Sequence, residues 1–290
     1  VSAALEVHIG PAAASAGTSY NYVALGDSYT AATGFDSPPD TRFAPFGCFQ
    51  STTNYPRQVA GILEGENELG SFVDASCGGA TTADFIEAQH TPFGVNPPQF
   101  NRITTRTNLV TFGIGGNDVG LIPLAQECVE DGLANKSCRD AHVTNGVDDV
   151  ATSLHLTQLK IEEMIRQVRT RAAKDVRILV VNYLEAVPDN GKGCYPIVPV
   201  GPVDAAWFTQ KYQQLNAMLA MAARNQDAEL VDTYTASIGH NVCTAPSTRY
   251  VELVGGPSSN PPFSLAAPLH PNIGGAQAQT RVVAAAIARK

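Results

Sequence analysis

Tyr22-Val23-Ala24-Leu25-Gly26-Asp27-Ser28-Tyr29 runs from β-favouring, apolar residues through a glycine into a polar turn. A buried strand that stops here and turns sharply leaves one hydroxyl, that of Ser28, at its carboxyl end. In open α/β sheets the ligand crevice lies outside the carboxyl ends of the strands, so a serine held on this turn is placed to act as a nucleophile. Gly-Asp-Ser alone is also ordinary turn chemistry. Its weight depends on the rest of the chain.

Outward from this stretch, strand-like runs recur at Ser71–Ala75, Asn108–Ile114, Val176–Val181 and Ala228–Tyr234. The run at Val176 is almost continuously apolar, as in a strand buried on both faces. Tyr55, Val59, Ile62 and Leu63 mark one face of a helix over Asn54–Leu63. Leu154, Ile161, Ile165, Val168 and Ala172 mark a second, amphipathic covering helix, whose charged residues are its solvated face. Phe208, Tyr212, Leu215 and Leu219 continue the rhythm to about Asn225, and Gly274–Lys290 reads as an alanine-rich closing helix. Thr81-Thr82-Ala83-Asp84 opens another helix, capped by a threonine. Thr33–Gln50, Phe93–Phe100, Asp189–Val203 and Ser237–Leu269 read as loops, and Leu121–Asn145 as an insertion without periodicity. This alternation predicts an α/β fold with a mostly parallel, helix-covered sheet.

The 290 residues suit one large domain. Residues 20–290 form it, and Val1–Ser19, rich in Ala, Ser and Gly, is expected to be a tail, a propeptide remnant or an added segment. A short strand or amphipathic segment at Leu5–Ile9 is the alternative. With no basic-then-apolar leader ahead of Val1, a processed or recombinant form is expected. The formal charge of −8 argues against nucleic acid or an electrostatic hold on anionic membranes as partners, because both need clustered Lys and Arg. The longest apolar runs fall short of the roughly 20 residues that span a bilayer, so a soluble protein without a transmembrane segment is expected.

Cys48, Cys77, Cys128, Cys138, Cys194 and Cys243 form an even set that permits 15 pairings. None has the CxxC spacing of a zinc site, so a disulfide framework in an oxidising compartment is favoured over metal binding or buried free thiols. No cofactor is expected: there is no phosphate loop, and Gly113-Ile114-Gly115-Gly116 lacks the spacing of a dinucleotide fingerprint.

Three further segments carry chemistry. Cys77-Gly78-Gly79-Ala80-Thr81-Thr82 places backbone N–H groups just ahead of a helix start, which suits an oxyanion, although glycine also simply permits a tight turn. Gly113-Ile114-Gly115-Gly116-Asn117-Asp118 ends in an amide donor and a carboxylate. The Asn117 hydrogen bond would strengthen as a carbonyl oxygen becomes an alkoxide, and Asp118 is suited to fixing the turn. Leu269-His270-Pro271-Asn272 delivers a histidine ahead of the last helix; His8, His90, His142, His155 and His240 have no comparable support.

With these four segments in this order, from Tyr20 to its end, the chain resembles the SGNH hydrolases, the GDSL-type lipases and esterases, and is most similar to their secreted, cysteine-bridged bacterial lipase branch. The resemblance implies a flavodoxin-like, three-layer α/β/α sandwich in a single domain with long loops. It implies acyl transfer by Ser28 as nucleophile and His270 as base, with Asp27 in support. The oxyanion would be held by the N–H groups of Ser28 and Gly79, with Gly78 the neighbour that competes for this role, and by Asn117. It also implies that neighbouring cysteines pair in order: Cys48–Cys77, Cys128–Cys138 and Cys194–Cys243. Many members carry an acidic residue three positions before the histidine, but here that position is Ala267. A backbone carbonyl of Ala266, Ala267 or Pro268 is expected to take its place, since a carbonyl still accepts the imidazole N–H.

The expected function is a secreted, monomeric lipase or esterase acting on ester or lipid substrates. A carbohydrate O-acetyl esterase is the alternative within enzymes, and a catalytically weak binding protein on the same scaffold is the alternative outside them. Aromatics at Phe35–Phe49, Phe93–Phe100 and Trp207-Phe208 would line either an acyl pocket or a sugar platform.

Overall fold

The computed structural model describes residues 19–32, 39–253 and 267–289. The expected tail up to residue 18, the segment Leu5–Ile9, Phe35 and Ala266 lie outside the described residues. In chain order the strands are β1 (Tyr20–Gly26), β2 (Leu69–Asp74), a hairpin of β3 (Gln89–Thr91) and β4 (Gly94–Asn96), β5 (Leu109–Gly113), a hairpin of β6 (Val143–Thr144) and β7 (Val147–Asp148), β8 (Arg177–Val181) and β9 (Glu229–Val231). The helices are α1 (Ser28–Ala31), α2 (Tyr55–Gly65), α3 (Leu121–Leu133), α4 (Cys138–His142), α5 (Asp149–Arg171), α6 (Pro202–Asn225) and α7 (Ile273–Ala288).

The central sheet has the order β2-β1-β5-β8-β9 and every pair in it is parallel. Alternation along each strand feeds two apolar layers. Val23, Leu25, Val110, Phe112, Ile178 and Val180 pack with residues of α5 and α6, whereas Tyr22, Ala24, Leu109, Leu179 and Val181 pack with α2 and α7. Both faces are therefore covered, which gives the helix-covered parallel sheet that the alternation predicted and the three-layer sandwich that the resemblance implied. The winding runs from β1 to β2 on one side and through β5, β8 and β9 on the other, so it reverses between β1 and β5. A crevice forms outside the carboxyl ends of strands at such a reversal, and Gly26 pairs level with Gly113 there.

Local chemistry sets the helix starts. Asn54 caps α2 by accepting from Arg57 N, Asp148 caps α5 by accepting from Ala151 N, and α6 begins with Pro202, a residue whose missing N–H costs nothing in a first turn. Two sequence expectations need correction. Leu121–Asn145 holds α3, α4 and a hairpin strand: Leu121, Leu124, Ala125 and Cys128 make a helical stripe once the cysteine is counted as apolar, and Pro123 sits harmlessly in the first turn. Phe93–Phe100 is in part strand and 3-10 turn, Gly94–Asn96 and Gln99–Arg102, rather than plain loop. The segment after Thr81 is a 3-10 turn, Thr82–Phe85, with a reciprocal cap between Thr81 and Asp84. Disulfides join Cys48 to Cys77, Cys128 to Cys138 and Cys194 to Cys243. Among the described residues no helix is long and apolar enough to cross a membrane.

Candidate active site

Ser28 is the first residue of α1, directly after β1. The turn depends on Gly26, whose φ is +142° and where a Cβ would collide with Thr30 Oγ1 and meet Gly113 O at 2.6 Å. The buried Gln99 amide grips the same glycine twice: it accepts from Gly26 N at 2.8 Å and donates to Gly26 O at 2.9 Å. Asp27 caps α1 by accepting from Tyr29 N at 2.9 Å, and it also accepts from Tyr183 Oη at 2.5 Å. Burial pushes the Asp27 carboxyl up to about 7, against the pull of these hydrogen bonds. Tyr183 Oη in turn accepts from Gly116 N at 2.8 Å. One phenol thus ties the serine turn to the glycine turn after β5.

His270 Nε2 lies 2.7 Å from Ser28 Oγ, across 242 residues of sequence. Its Nδ1 lies 2.8 Å from the carbonyl oxygen of Pro268. A carbonyl only accepts, so Nδ1 carries the proton and Nε2 presents its lone pair to the serine. Of the two described candidate carbonyls, that of Ala267 is occupied by His270's own backbone N–H at 3.0 Å. Burial holds His270 below the ordinary histidine range, while the Pro268 hydrogen bond opposes this. Ring and backbone anchors fix the loop: Leu269 adopts φ +62°, its N donates to Glu252 O at 2.7 Å, and its carbonyl accepts from Tyr29 Oη at 2.6 Å. Glu252 is paired with Arg249 at 2.9 Å, both buried, and accepts from Asn272 Nδ2 at 3.1 Å.

The residues expected to hold an oxyanion come from two loops besides the serine turn. Gly78 N donates to Cys48 O at 2.9 Å and Ala80 N to Cys77 O at 3.1 Å. Gly79, at φ +76°, keeps its N–H without an acceptor among the described residues, as does Ser28 at the start of α1. The amide of Asn117 donates one N–H to Ala80 O at 2.8 Å and so lies beside Gly79 with its second N–H in hand. Asp118 does not fix its own turn. It accepts from Thr82 N at 2.9 Å and Thr82 Oγ1 at 2.5 Å, bolting the Gly79 loop to the Asn117 loop.

Ser28 opens on a chamber of about 420 Å³, open space at its mouth included, whose lining joins Asp27, Gly116 and Asn117 with the apolar Leu121, Ile122, Phe208 and Leu269. Trp207 is turned away from it, donating from Nε1 to Asp148 at 3.1 Å and stacking on His142. Phe46, Phe49 and Phe93 cluster at the surface. Gln99, Tyr29 and Tyr183 were not legible as site residues. Tyr183 alone left a signal, since it follows the carboxyl end of a recognisable strand. Among the described residues no group of histidine, cysteine, aspartate and glutamate is arranged to hold a metal ion.

The chain is similar to several bacterial ester hydrolases. It is 34% identical over 272 residues to Lipase 2 of Streptomyces coelicolor, covering 91% of this chain and 84% of that protein, and 27% identical over 250 residues to an esterase of Streptomyces scabiei, covering 76% and 72%. Its fold matches the crystal structure of an extracellular lipase from Streptomyces rimosus with a TM-score of 0.64 and 21% identity over 92% of this chain and all of that one. It also matches, more loosely, an acetylxylan esterase from Geobacillus stearothermophilus, with a TM-score of 0.53 and 14% identity over 94% and 96% of the two chains. The model of the GDSL-like lipase/acylhydrolase family matches residues 24–278, from within β1 past the histidine and into α7. The chain belongs to the GDSL-like lipase/acylhydrolase family.

Proposed function

We propose that the protein is a secreted serine hydrolase that cleaves carboxylic esters of lipid type through an acyl-enzyme. Ser28 Oγ attacks the ester carbonyl carbon while its proton passes to His270 Nε2. The carbonyl oxygen becomes an alkoxide held by the N–H groups of Ser28 and Gly79 and by the free N–H of Asn117. The intermediate collapses, the bond to the alcohol oxygen breaks, and His270 returns the proton to that oxygen. Water then adds to the acyl-enzyme by the same route, releasing the acid and restoring Ser28.

The observation that carries this reading is the Nε2–Oγ distance of 2.7 Å combined with the Pro268 carbonyl on Nδ1, a Ser–His dyad with its tautomer fixed. The carbonyl stabilises the imidazolium less than a carboxylate would. His270 is already biased toward the neutral form by burial, which keeps it a competent base over a wider acid range. The apolar wall of the chamber supports a lipid-like acyl group over an acetylated sugar, and the three disulfides suit an oxidising, extracellular setting.

Hydrolysis of p-nitrophenyl esters from acetate to palmitate, by this protein and by Ser28→Ala, tests the proposal. Turnover that vanishes with Ser28 and favours the longer acyl groups is expected. Activity retained by Ser28→Ala would overturn the nucleophile, and a sharp preference for acetate would favour the O-acetyl esterase instead.

A further inference from the structure

We propose that a second cavity, beyond Phe208 and Leu269, receives the distal part of the substrate's acyl chain and sets chain-length selectivity; this rests on the ester-hydrolase reading above. The cavity is an apolar pocket that opens to solvent, with about 780 Å³ of space between its walls when the open space at its mouth is included. Phe208 and Leu269 line both it and the Ser28 chamber.

Three elements run from one cavity into the other. On α3, Leu121 and Ile122 face the serine chamber, and Ala125, Cys128 and Val129 face the far cavity. These positions recur every three or four residues, so they form one stripe on a single helix face, about 10 Å long at 1.5 Å of rise per residue. On the segment after β8, Ala186 lines the near chamber and Val187 and Pro188 the far one. On α6, Tyr212 and Phe208 give way to Thr209 and Ala205. The two spaces are therefore one path partitioned by two side chains.

The chemistry of the far cavity is that of a hydrocarbon. Its remaining wall is Ile197, Val198, Pro199 and Val200, with the Cys194–Cys243 disulfide. Thr209 brings a hydroxyl, which lies 3.4 Å from the Pro188 carbonyl and can donate to it. Among the described residues no charged side chain lines it. A sugar or a phosphate would lose its hydration here without replacement, whereas each methylene transferred from water gains roughly fourfold in binding. Two disulfides border the cavity, because Cys128 is bonded to Cys138 and Cys194 to Cys243. They fix α3 to α4, and the 194–200 wall to the segment that follows β9.

Leu269 is the partition's unusual member. A leucine at φ +62° is an uncommon conformation, held here by the hydrogen bonds to Glu252 and Tyr29. Because it immediately precedes His270, the residue that parts the two spaces is also fixed relative to the base.

Val200→Phe and Ala125→Phe narrow the far cavity from two of its elements, the 194–200 segment and α3, and neither residue lines the Ser28 chamber. The quantity to measure is the ratio of kcat/KM for p-nitrophenyl dodecanoate to that for the acetate. We expect this ratio to fall by about tenfold or more in each variant, the equivalent of losing two buried methylene sites. An unchanged ratio in both folded variants overturns the assignment of the cavity, while the hydrolase reading stands. Absence of hydrolysis of every ester by the unaltered protein overturns the hydrolase reading itself. Labelling of Ser28 in the unaltered protein by p-nitrophenyl alkylphosphonates is a second measurement that requires no variant to fold. A rate constant that climbs at least tenfold from methyl to dodecyl supports the cavity, and a flat series overturns it.

Discussion

The serine turn and the histidine loop bring Ser28 Oγ and His270 Nε2 together by opposite means. Ser28 is placed by its own neighbourhood: β1 ends, Gly26 takes a conformation that a side chain would forbid, and Asp27 caps a one-turn helix. The described residues just before His270, 267–269, form no helix or strand. Its loop is held by distant groups, with Tyr29 Oη on the Leu269 carbonyl, Glu252 on the Leu269 N–H, and an isolated bridge between Val251 and Pro271. A hydroxyl on a sharp turn needs a few local residues, whereas an imidazole arriving 242 positions later needs anchors from across the fold. The contrast predicts that changes at the serine turn act on chemistry at full strength, and that changes at the anchors act by graded misplacement.

The largest effect is expected at the turn itself. Ser28→Ala should lower ester turnover on the order of 10⁴-fold or more with the thermal midpoint preserved, as measured by initial rates and circular dichroism. Comparable activity in this variant would remove the turn from the chemistry. Next, Asn117→Ala should cost about 10² to 10³ in kcat, roughly 2.7 to 4 kcal/mol, from the loss of one oxyanion donor. Part of this loss would be structural, since Asn117 also holds Ala80 O; a large rise in KM with kcat intact would contradict the oxyanion role.

At the anchors, Tyr29→Phe strips the phenol from the Leu269 carbonyl and leaves that acceptor short of a partner, a cost of about 1 to 3 kcal/mol. The expected result is a fall in kcat of about tenfold with a lowered melting temperature. A loss as deep as that of Ser28→Ala would mean that the anchor is as indispensable as the nucleophile and would break the contrast.

Smaller still is the pH effect. His270 is held below 6.5 by burial, and the reaction needs its neutral form, so kcat/KM should fall only below pH 6.5. An acid limb above 6.5 would contradict the carbonyl-only arrangement. Stability follows the same sign. The unfolded histidine takes up its proton near 6.5 and the folded one later, so the folded state loses ground as pH drops below 6.5. Asp27 has the reverse dependence: with a folded value of about 7 against 3.8, it weakens the folded state as pH rises through that window.

The smallest effect is expected from Ala267→Asp, which returns the acidic residue that the resemblance places there. If the Pro268 carbonyl already completes the dyad, turnover should change by less than about tenfold. A larger gain would show that the histidine loop is under-supported.

Much of the polar half of the site was legible from residues. Gly26-Asp27-Ser28, Gly78-Gly79, Asn117-Asp118 and His270 are chemical types at strand and loop ends, and they appear in the sequence as themselves. The groups that hold them were not. Gln99 lies in a segment read as loop, and its grip on Gly26 spans 73 residues. Tyr29 looked like an ordinary neighbour of the serine, yet its hydroxyl secures the far loop. The expected role of Asp118 on its own turn gave way to a bond across to Thr82, because a carboxylate finds whichever N–H the fold delivers. The apolar half was the least visible, since α3 was hidden by a cysteine and a proline in its pattern.

By itself the sequence determined the layers and the candidate site groups. Period-two and near-period-four apolar patterns dictate strands and helices, and glycine and capping residues dictate where they turn. Only the tertiary structure decided which carbonyl serves the histidine, which N–H groups stay free for an oxyanion, and where the apolar path runs. Each of these is a matter of which donors are already spent and which walls face each other, and both are settled only when segments remote in sequence are packed together.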